Sequence, residues 1–233
     1  MPELPDVEVF RRRLALAVRG RSLRGATVHD SQVLAGVGAR RLHRSLAGSR
    51  VRSTRRRGKT LYAVTRGGPH LRLHFGMTGD LVVADAAEEE PAYTRVVLPL
   101  SGDRALHFVD QRKLGEIGLV DDVDADIEEH GLGPDALDLG PRDLIELLRG
   151  SRAGLKVLLM DQSEVAGLGN IYTDEMLFQA RLDPHAPAAE ITDAGVRRAY
   201  RQLHRVVDRA VRAGAQPDEM PRGWLLHRRR SGA

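Results

Sequence analysis

The chain has 233 residues, of which 42% are hydrophobic and 29% charged, a composition typical of globular proteins rather than of disordered or fibrous chains. It contains no cysteine, which excludes disulfides, thiolate catalysis, iron–sulfur clusters and cysteine-ligated zinc within these residues. No apolar run approaches the ~18–20 residues that span a bilayer, and the acidic, proline-containing start differs from a secretory signal peptide. We therefore expect a cytoplasmic protein with no membrane partner.

The net charge of +4 is small, but it is unevenly distributed along the chain. Residues 194–233 carry ten arginines against three acidic residues, so the rest of the chain has a net charge of −3. Further basic residues cluster at Arg55–Arg57 with Lys59, and at Arg228–Arg230. Any one cluster could simply be solvated surface, whereas several clusters together favour a polyanionic partner.

In chain order, the first predicted element is a helix from Asp6 to about Val18, which follows Pro5 and carries an apolar stripe. Between about Ser22 and Val120 the sequence changes to short runs of alternating polarity, broken by glycine and aspartate. Such runs, with hairpin-like breaks between them, predict an antiparallel β-sandwich or barrel. The acidic segment Asp121–Gly140 contains glycine and proline and predicts a connector, in which we place the domain boundary.

The second half of the chain has a helical pattern. Four helices are predicted, at Asp143–Leu148, Leu155–Met160, Ile171–Arg181 and Ala194–Ala213. Residues 214–233 look irregular, although Trp224–Leu226 could begin a strand. The predicted fold class is therefore α+β, with an N-terminal sandwich domain over residues 1–121, a helical domain over 141–213 and a linker over 214–233.

The N-terminal sequence Met1-Pro2-Glu3 has both a chemical and a structural interpretation. Removal of Met1 would leave Pro2 as a free amine, and an α-amino group with a pKa of about 8 has a neutral fraction at physiological pH. Such an amine can attack a sugar C1′ or an aldehyde to form an iminium ion, with Glu3 as general acid or base. Taken alone, however, a Pro-Glu pair is more often a simple entry into a helix.

A second candidate site is Gly167-Leu168-Gly169-Asn170, between two predicted helices. Glycine permits close approach of the backbone to a ligand, and the amides at the start of the following helix suit a phosphate, to which Asn170 can also donate. The alternative is a helical hairpin whose first helix ends in a left-handed glycine cap. The motif alone does not separate the two.

Several segments, taken together and in order, resemble those of a known family. MPELPDVE, RRRGKTL, HFGMTGDL, DQRKLG and KVLLMDQSEVAGLGNIYTDEMLFQARLDP are similar to signature segments of the formamidopyrimidine-DNA glycosylase/endonuclease VIII family of base-excision repair enzymes. In that family they correspond to the N-terminal signature, the lysine hairpin, the His/Met loop, the second DNA-wedge loop and the helix–two-turn–helix motif. The resemblance covers essentially the whole chain, and Leu4 favours the formamidopyrimidine branch.

The resemblance implies roles for individual residues. Pro2 would be the Schiff-base nucleophile, Glu3 would protonate the deoxyribose ring oxygen or shuttle protons, and Lys59 would donate a proton in β-elimination and contact phosphate. Glu8 would support the catalytic pocket. The other implied DNA contacts are His74, Arg112, Arg152 and Asn170, and the residues implied to fill the space left by a flipped nucleotide are Met77, Arg112 and Leu114. Position 114 is usually aromatic in the family, so a leucine there would stack less strongly.

The activity implied by the resemblance is that of a bifunctional DNA glycosylase and abasic-site lyase acting on oxidised bases of the formamidopyrimidine or 8-oxoguanine type. The resemblance implies no cofactor or metal within these residues, because the structural zinc usual in the family belongs to a C-terminal finger that is not present here. The expected partner is double-stranded DNA with damaged bases or abasic sites, bound by a monomer at the bacterial nucleoid. A non-catalytic binder of damaged or abasic DNA is the main alternative. An RNA-binding module is a third, because a similar GxGN motif occurs in a ribosomal protein family.

Overall fold

The computed structural model describes residues 2–230, which form two compact units. One unit contains Val7–Glu128 together with Pro2, and the other contains Glu3–Asp6 together with the chain from Glu129 onward. Met1, the side chains of Arg229 and Arg230, and residues 231–233 lie outside the described part. Met1, whose removal would free the Pro2 amine, and the end of the predicted linker therefore also lie outside it.

The first helix, α1, spans Leu4–Ala17 and begins two residues earlier than predicted. Pro5 is compatible with this start, because an amide in the first turn has no partner within the helix and the ring presets φ. Leu14 is on the buried face of α1. Leu16, two positions further along, is 71% exposed, because residues two positions apart point to different faces of a helix.

Two sheets form the sandwich of the first unit, with strands numbered here in chain order. The four-stranded sheet consists, in spatial order, of β1 (Thr27–Val28), β7 (Thr94–Pro99), β8 (Arg104–Asp110) and β6 (Gly79–Asp85). The five-stranded sheet consists of β2 (Leu34–Ala35), β9 (Glu116–Val120), β5 (His70–His74), β4 (Thr60–Thr65) and β3 (Val51–Arg57). The predicted antiparallel sandwich is confirmed, except that β2 and β9 pair in parallel.

The core of this unit lies between the sheets and α1. The ring of Phe10 on α1 packs on Phe75, which in turn packs on Phe108 of β8, with centroids 4.6 Å and 5.7 Å apart. These rings are three of the four phenylalanines, and aromatic residues make up only 4% of the chain. Leucine and valine side chains therefore supply most of the remaining buried surface.

Two short helices in the first unit were not predicted. Helix α2 (Ala39–Leu46) buries Leu42 and Leu46 in the sandwich core. In this arginine-rich segment, the helical pattern of apolar residues consists of these two leucines, four positions apart. Helix α3 (Val123–Glu129) buries Val123 and Ile127, within the segment predicted as a connector. Tertiary packing rather than local pattern thus makes both segments helical.

The second unit is helical, as predicted. Its helices are α4 (Pro141–Arg149), α5 (Leu155–Met160), α6 (Asn170–Ala180), α7 (Asp193–Arg212) and α8 (Leu225–Arg230). Helices α4 to α7 lie where the sequence predicts them, and α5 has the predicted bounds. No helix among residues 2–230 is long and apolar enough to cross a membrane.

The segment after Ala213 differs from the prediction of an irregular linker. Trp224 is buried in a cluster with Tyr172 and Met220, and the chain then continues as α8 rather than as a strand. The Leu225 N–H donates to the Glu175 carboxylate at 2.7 Å, which provides a partner for an amide in the first turn of α8. A buried tryptophan and a carboxylate on a distant helix therefore order a segment whose local composition indicates a loop.

Candidate active site and nucleic-acid interface

The Glu3 side chain is buried at the start of α6, in the second unit. Its two carboxylate oxygens accept hydrogen bonds from the backbone N–H groups of Ile171 and Tyr172, at 2.8 Å and 3.1 Å. Such amides have no partner within the helix, and the helix dipole favours negative charge beside them. The carboxylate is therefore held in one orientation, while each oxygen keeps a further lone pair for a proton.

Gly169 leaves the space that the Glu3 carboxylate occupies. A Cβ atom at this position would lie 2.4 Å from Cδ of Glu3, closer than real side chains approach. Glu3, rather than a phosphate, thus takes the helix amides that the sequence suggested for phosphate binding. The alternative of a left-handed glycine cap also fails, because α5 ends at Met160, and Gly167, with φ of +111°, lies well beyond that end.

The loop between α5 and α6 is held in shape by Gln162. Its side-chain amide donates to the carbonyls of Met160 and Leu168, both at 2.8 Å, and its oxygen accepts from the Gly167 N–H at 3.0 Å. The Gly167 carbonyl in turn accepts from the Leu4 N–H at 3.0 Å. The backbone that follows Pro2 and Glu3 is therefore attached to a braced loop.

Asp6 is a second carboxyl group beside Glu3. It accepts a hydrogen bond from the Glu3 N–H at 2.9 Å. Burial, reinforced by the nearby Glu3 charge, raises the pKa of Asp6 to about 7. Burial, together with the charges of Asp6 and Glu3, also raises the pKa of the Tyr172 hydroxyl. A carboxyl group that titrates near neutral pH therefore lies next to the anchored Glu3.

Lys59 lies in the two-residue turn between β3 and β4, in the first unit. Gly58 provides the left-handed backbone of this turn, with φ of +56°. The Arg56 guanidinium donates to the Gly58 carbonyl at 2.8 Å and lies 3.6 Å from the carboxylate of Glu8 on α1. Arg56 thus connects the lysine turn to α1.

Glu8 is the anchor of this connection. Its carboxylate also accepts hydrogen bonds from Arg11 and Arg12, at 2.8 Å and 2.9 Å. Burial opposes ionisation of Glu8, but the hydrogen bonds from these arginines outweigh it and lower the pKa to about 2. Glu8 is therefore ionised at neutral pH, where it can hold Arg56 but cannot donate a proton.

Strand register brings His74 to the same end of the sandwich as Lys59. His74 pairs with Thr60, the residue directly after Lys59, across the β4–β5 ladder. Its Nδ1 accepts a hydrogen bond from the Gly76 N–H at 3.3 Å, which begins the turn toward Met77. The expected phosphate contacts of the first unit, Lys59 and His74, are thus neighbours on one sheet.

The three residues expected to fill a vacated base position occupy two adjoining loops. Met77 lies between β5 and β6 and is 43% exposed, and Leu114 lies between β8 and β9 and is 47% exposed. Arg112, in the same loop as Leu114, is also exposed. These loops adjoin because Gly79, at the start of β6, pairs with Asp110, at the end of β8. Two large apolar side chains and an arginine are consequently presented to solvent at one edge.

Asn170 and Arg152 are the remaining expected DNA contacts, and both belong to the second unit. Asn170 is the first residue of α6 and Arg152 precedes α5, and both are exposed. Within the described part of the chain, neither side chain forms a hydrogen bond or an ion pair with another residue. Their polar groups are therefore available to a ligand.

The metal chemistry of the chain is limited by its donor set. The sequence has no cysteine, and among residues 2–230 no three histidine, aspartate or glutamate side chains come together in an arrangement that could hold a metal ion. The residues described here therefore do not fit a structural zinc ion.

The predicted site residues divide between the two units. The first unit holds Pro2, Lys59, His74, Met77, Arg112 and Leu114, and the second holds Glu3, Arg152 and Asn170.

Sequence reasoning missed the residues that orient these side chains, which are Asp6, Arg56, Asp110 and Gln162. Asp110 could have been noticed from the sequence. An aspartate at the end of an apolar strand is either exposed to solvent or buried with several hydrogen bonds to its carboxylate.

Models of two protein domains match the chain. Residues 1–117 match the formamidopyrimidine-DNA glycosylase N-terminal domain, and residues 131–220 match the formamidopyrimidine-DNA glycosylase H2TH domain. The formamidopyrimidine-DNA glycosylase of Thermus thermophilus is 40% identical, with 96% of this chain and 84% of the relative covered. The enzyme of the same name from Moorella thermoacetica is 37% identical, with 91% and 78% covered.

Solved structures of Lactococcus lactis formamidopyrimidine-DNA glycosylase are also similar to this chain. Its non-covalent complex with DNA containing an abasic site has a TM-score of 0.82 and 26% identity, covering 91% of this chain and 83% of that one. Its complex with DNA containing a formamidopyrimidine lesion has the same TM-score and identity, covering 91% and 80%. The α+β fold is therefore shared with proteins that were crystallised on damaged DNA.

Proposed function

Because the chain belongs to the formamidopyrimidine-DNA glycosylase family, we propose that it excises oxidised bases of the formamidopyrimidine or 8-oxoguanine type from duplex DNA and then cleaves the abasic site. The observation that carries this proposal is the anchored Glu3 carboxylate, directly after Pro2 in the chain. The names of the relatives, and the abasic and damaged DNA in the neighbouring structures, support it.

The first chemical step is an exchange of bonds at C1′ of the damaged nucleotide. The lone pair of the Pro2 amine, free once Met1 is removed, attacks C1′, and the bond to the base breaks with its electron pair leaving on the base. The nitrogen, cationic after the attack, loses its N–H proton, which passes through Glu3 to the ring oxygen O4′. The C1′–O4′ bond breaks with its electron pair on the oxygen, and the freed nitrogen lone pair forms the C1′–N double bond of a cationic iminium. The fixed carboxylate stabilises this positive charge because it needs no reorientation.

The second step breaks the DNA strand. Water takes a proton from C2′ of the iminium, and the electrons of that C–H bond form the C2′–C3′ double bond. The 3′ phosphate leaves with the electrons of the C3′–O bond, and Lys59 can donate a proton to it. Water then hydrolyses the iminium and restores the Pro2 amine.

In the proposal, the DNA backbone around the lesion is bound by polar side chains of both units, which are Lys59, His74, Arg112, Arg152 and Asn170. Flipping a nucleotide costs a few kcal/mol, so Met77, Arg112 and Leu114 offset that cost by occupying the vacated stack.

The experiment that tests this proposal is reductive trapping of the iminium. The protein is incubated with a duplex that contains one abasic site, in the presence of borohydride, and intact mass confirms that Met1 has been removed. We expect a covalent adduct, and digestion with trypsin should place the added mass on the peptide of residues 2–11. Pro2→Gly should trap much more slowly, since it replaces the secondary amine with a primary one, and Glu3→Gln should stop base excision.

Each result has a definite consequence. An adduct on residues 2–11 supports iminium chemistry at Pro2, and a panel of duplexes with single oxidised bases then identifies the preferred lesion. Binding of abasic DNA without any adduct, from protein whose mass shows that Met1 is absent, contradicts the lyase proposal. That result instead favours the alternative of a non-catalytic binder of damaged or abasic DNA.

A further inference from the structure

We propose that Asp110 is a positioning residue that holds two loops in one rigid arrangement, an inference that rests on the proposed function. These loops, here called the void-filling loops, carry Met77 and, in the second loop, Arg112 and Leu114. Asp110 ends β8, and its side chain is fully buried although aspartate is rarely so. A carboxylate in this position requires several donors to compensate for its lost hydration. Its donors come from both of the loops that carry Met77, Arg112 and Leu114.

The hydrogen bonds of Asp110 connect the loops directly. Oδ1 accepts from the Thr78 hydroxyl, in the loop of Met77, and from the Arg112 N–H at 3.2 Å. Oδ2 accepts from the Gly115 N–H at 2.7 Å, directly after Leu114. The Arg112 N–H also approaches the Thr78 hydroxyl oxygen at 3.1 Å. One carboxylate thus binds the residue after Met77, the backbone of Arg112 and the residue after Leu114.

Backbone packing reinforces this arrangement. A Cβ atom on Gly76 would lie 2.4 Å from the carbonyl of Leu114, so the two loops touch backbone to backbone. A Cβ atom on Gly115 would lie 2.9 Å from the His74 carbonyl and from the Phe108 ring. Both glycines are therefore needed for the distance at which Asp110 can bridge the loops.

The loop of Arg112 and Leu114 is also held by contacts outside the Asp110 carboxylate. Arg95 donates to the carbonyls of Asp110 and Gln111, at 2.8 Å and 3.4 Å. Lys113 adopts a left-handed backbone, with φ of +56°, and its ammonium group lies 2.7 Å from the Asp30 carboxylate. The backbone on both sides of Arg112 is thus fixed while the Arg112 and Leu114 side chains stay exposed.

Rigid loops matter because a side chain inserted into DNA loses conformational freedom. Loops that are already ordered reduce that cost, so the free energy of stacking can offset base flipping. Asp110→Asn replaces one carboxylate oxygen, which accepts hydrogen bonds, with an amide NH2 group, which donates them. The new donor then faces a buried N–H or O–H group that is also a donor. The substitution should therefore loosen both loops together and slow their insertion.

The test uses a duplex with a tetrahydrofuran abasic-site analogue next to 2-aminopurine, whose fluorescence rises when inserted side chains disturb its own stacking. We expect Asp110→Asn to slow this rise by about tenfold, the factor that corresponds to about 1.4 kcal/mol. Thr78→Val should slow it less, and Thr78→Ser, which keeps the hydroxyl, should behave as the parent. Asp126→Asn, at another buried aspartate of the same unit, should lower thermal stability without changing the fluorescence rate.

A second readout separates positioning from general damage. Trapping on a single-stranded abasic oligonucleotide leaves no stack to fill, so Asp110→Asn should slow trapping on the duplex far more than on the single strand. In a Leu114→Ala background, Asp110→Asn should have little further effect on the fluorescence rate, because the inserted side chain that Asp110 positions is already absent. Equal loss on both substrates, or full additivity with Leu114→Ala, would overturn the inference.

Failure of the inference differs from failure of the proposed function. If the parent neither traps on either substrate nor raises the fluorescence, both are wrong. If the parent does both and Asp110→Asn and Thr78→Val match it, only the inference is wrong. Thr78→Val keeps the test valid if Asp110→Asn does not fold, since it removes one hydroxyl group and leaves the buried carboxylate in place.

Discussion

At the scale of single residues, the position of the Glu3 carboxylate depends on the absence of a side chain at Gly169. The backbone of Gly169 has φ of −136°, which any residue can adopt. The requirement for glycine is therefore steric rather than conformational. It arises because the carboxylate must come close to the amides of Ile171 and Tyr172 to satisfy both.

Gly169→Ala should consequently displace Glu3 while leaving the local backbone unstrained. The Ile171 and Tyr172 amides would lose their charged partner, and the fixed charge that the proposed mechanism places near the iminium would be lost. We therefore expect trapping on abasic duplex DNA to slow by at least about tenfold. Gly150→Ala is the matched control in the same unit, because a Cβ atom there would meet only ordinary contacts at 3.5 Å or more. Equal trapping rates for the two variants would argue against this role of Gly169.

Sequence reasoning reached these residues unevenly. Pro2 and Glu3 could be identified as candidates because a terminal amine beside a carboxylate has recognisable chemistry. The role of Gly169 could not, because the atom that excludes a Cβ belongs to a residue 166 positions earlier in the chain. Asp6 is similar, since its raised pKa results from burial and from the Glu3 charge, neither of which is apparent from the spacing.

At the scale of elements, the lysine turn is tied to α1 by a charged pair rather than by apolar packing. Glu8 on α1 holds Arg56 on β3, and Arg56 holds the carbonyl of Gly58 beside Lys59. The pKa of Glu8 is about 2 in the folded chain, against 4.5 for an ordinary glutamate. Folding therefore favours the ionised form, so Glu8 stabilises the first unit fully above about pH 5 and progressively less as the pH falls toward 2.

Glu8→Gln should remove this pH-dependent contribution. The shift corresponds to at most about 3 kcal/mol, so the variant should unfold at lower urea concentration than the parent at pH 7, and the difference should shrink at pH 3. Urea unfolding at both pH values measures the effect. Glu89→Gln, at an exposed glutamate of the same unit, is the control and should follow the parent at both. A Glu8→Gln deficit that is the same at pH 7 and pH 3 would contradict the linkage.

Elements with a strong local pattern could be predicted, and those that depend on distant contacts could not. Helices α4 to α7 and the main hairpins follow from apolar spacing and turn residues. The parallel pairing of β2 with β9 joins segments about 80 residues apart, which no local pattern encodes. Helix α8 was missed for the same reason, because Trp224 is buried by residues of α6 and α7.

At the scale of the whole molecule, charge placement matters more than total charge. A net charge of +4 on 233 residues gives a weak overall attraction to DNA. Individual cations at the site must therefore supply the phosphate contacts, and each contact makes affinity fall with salt because bound counterions are released. The salt dependence of binding can thus count these contacts.

Lys59→Ala should lower the slope of log affinity against log salt by about 0.9, the value for one phosphate contact, and should weaken binding to all sequences alike. Arg104→Ala is the control, because Arg104 is an exposed cation at the start of β8. Asp110 and the void-filling loops lie at the other end of that strand, about 20 Å away. Binding of an abasic-analogue duplex is measured by fluorescence anisotropy across a salt series. A slope unchanged in Lys59→Ala, or reduced equally in Arg104→Ala, would mean that cations spread over the surface, rather than the lysine turn, bind the backbone.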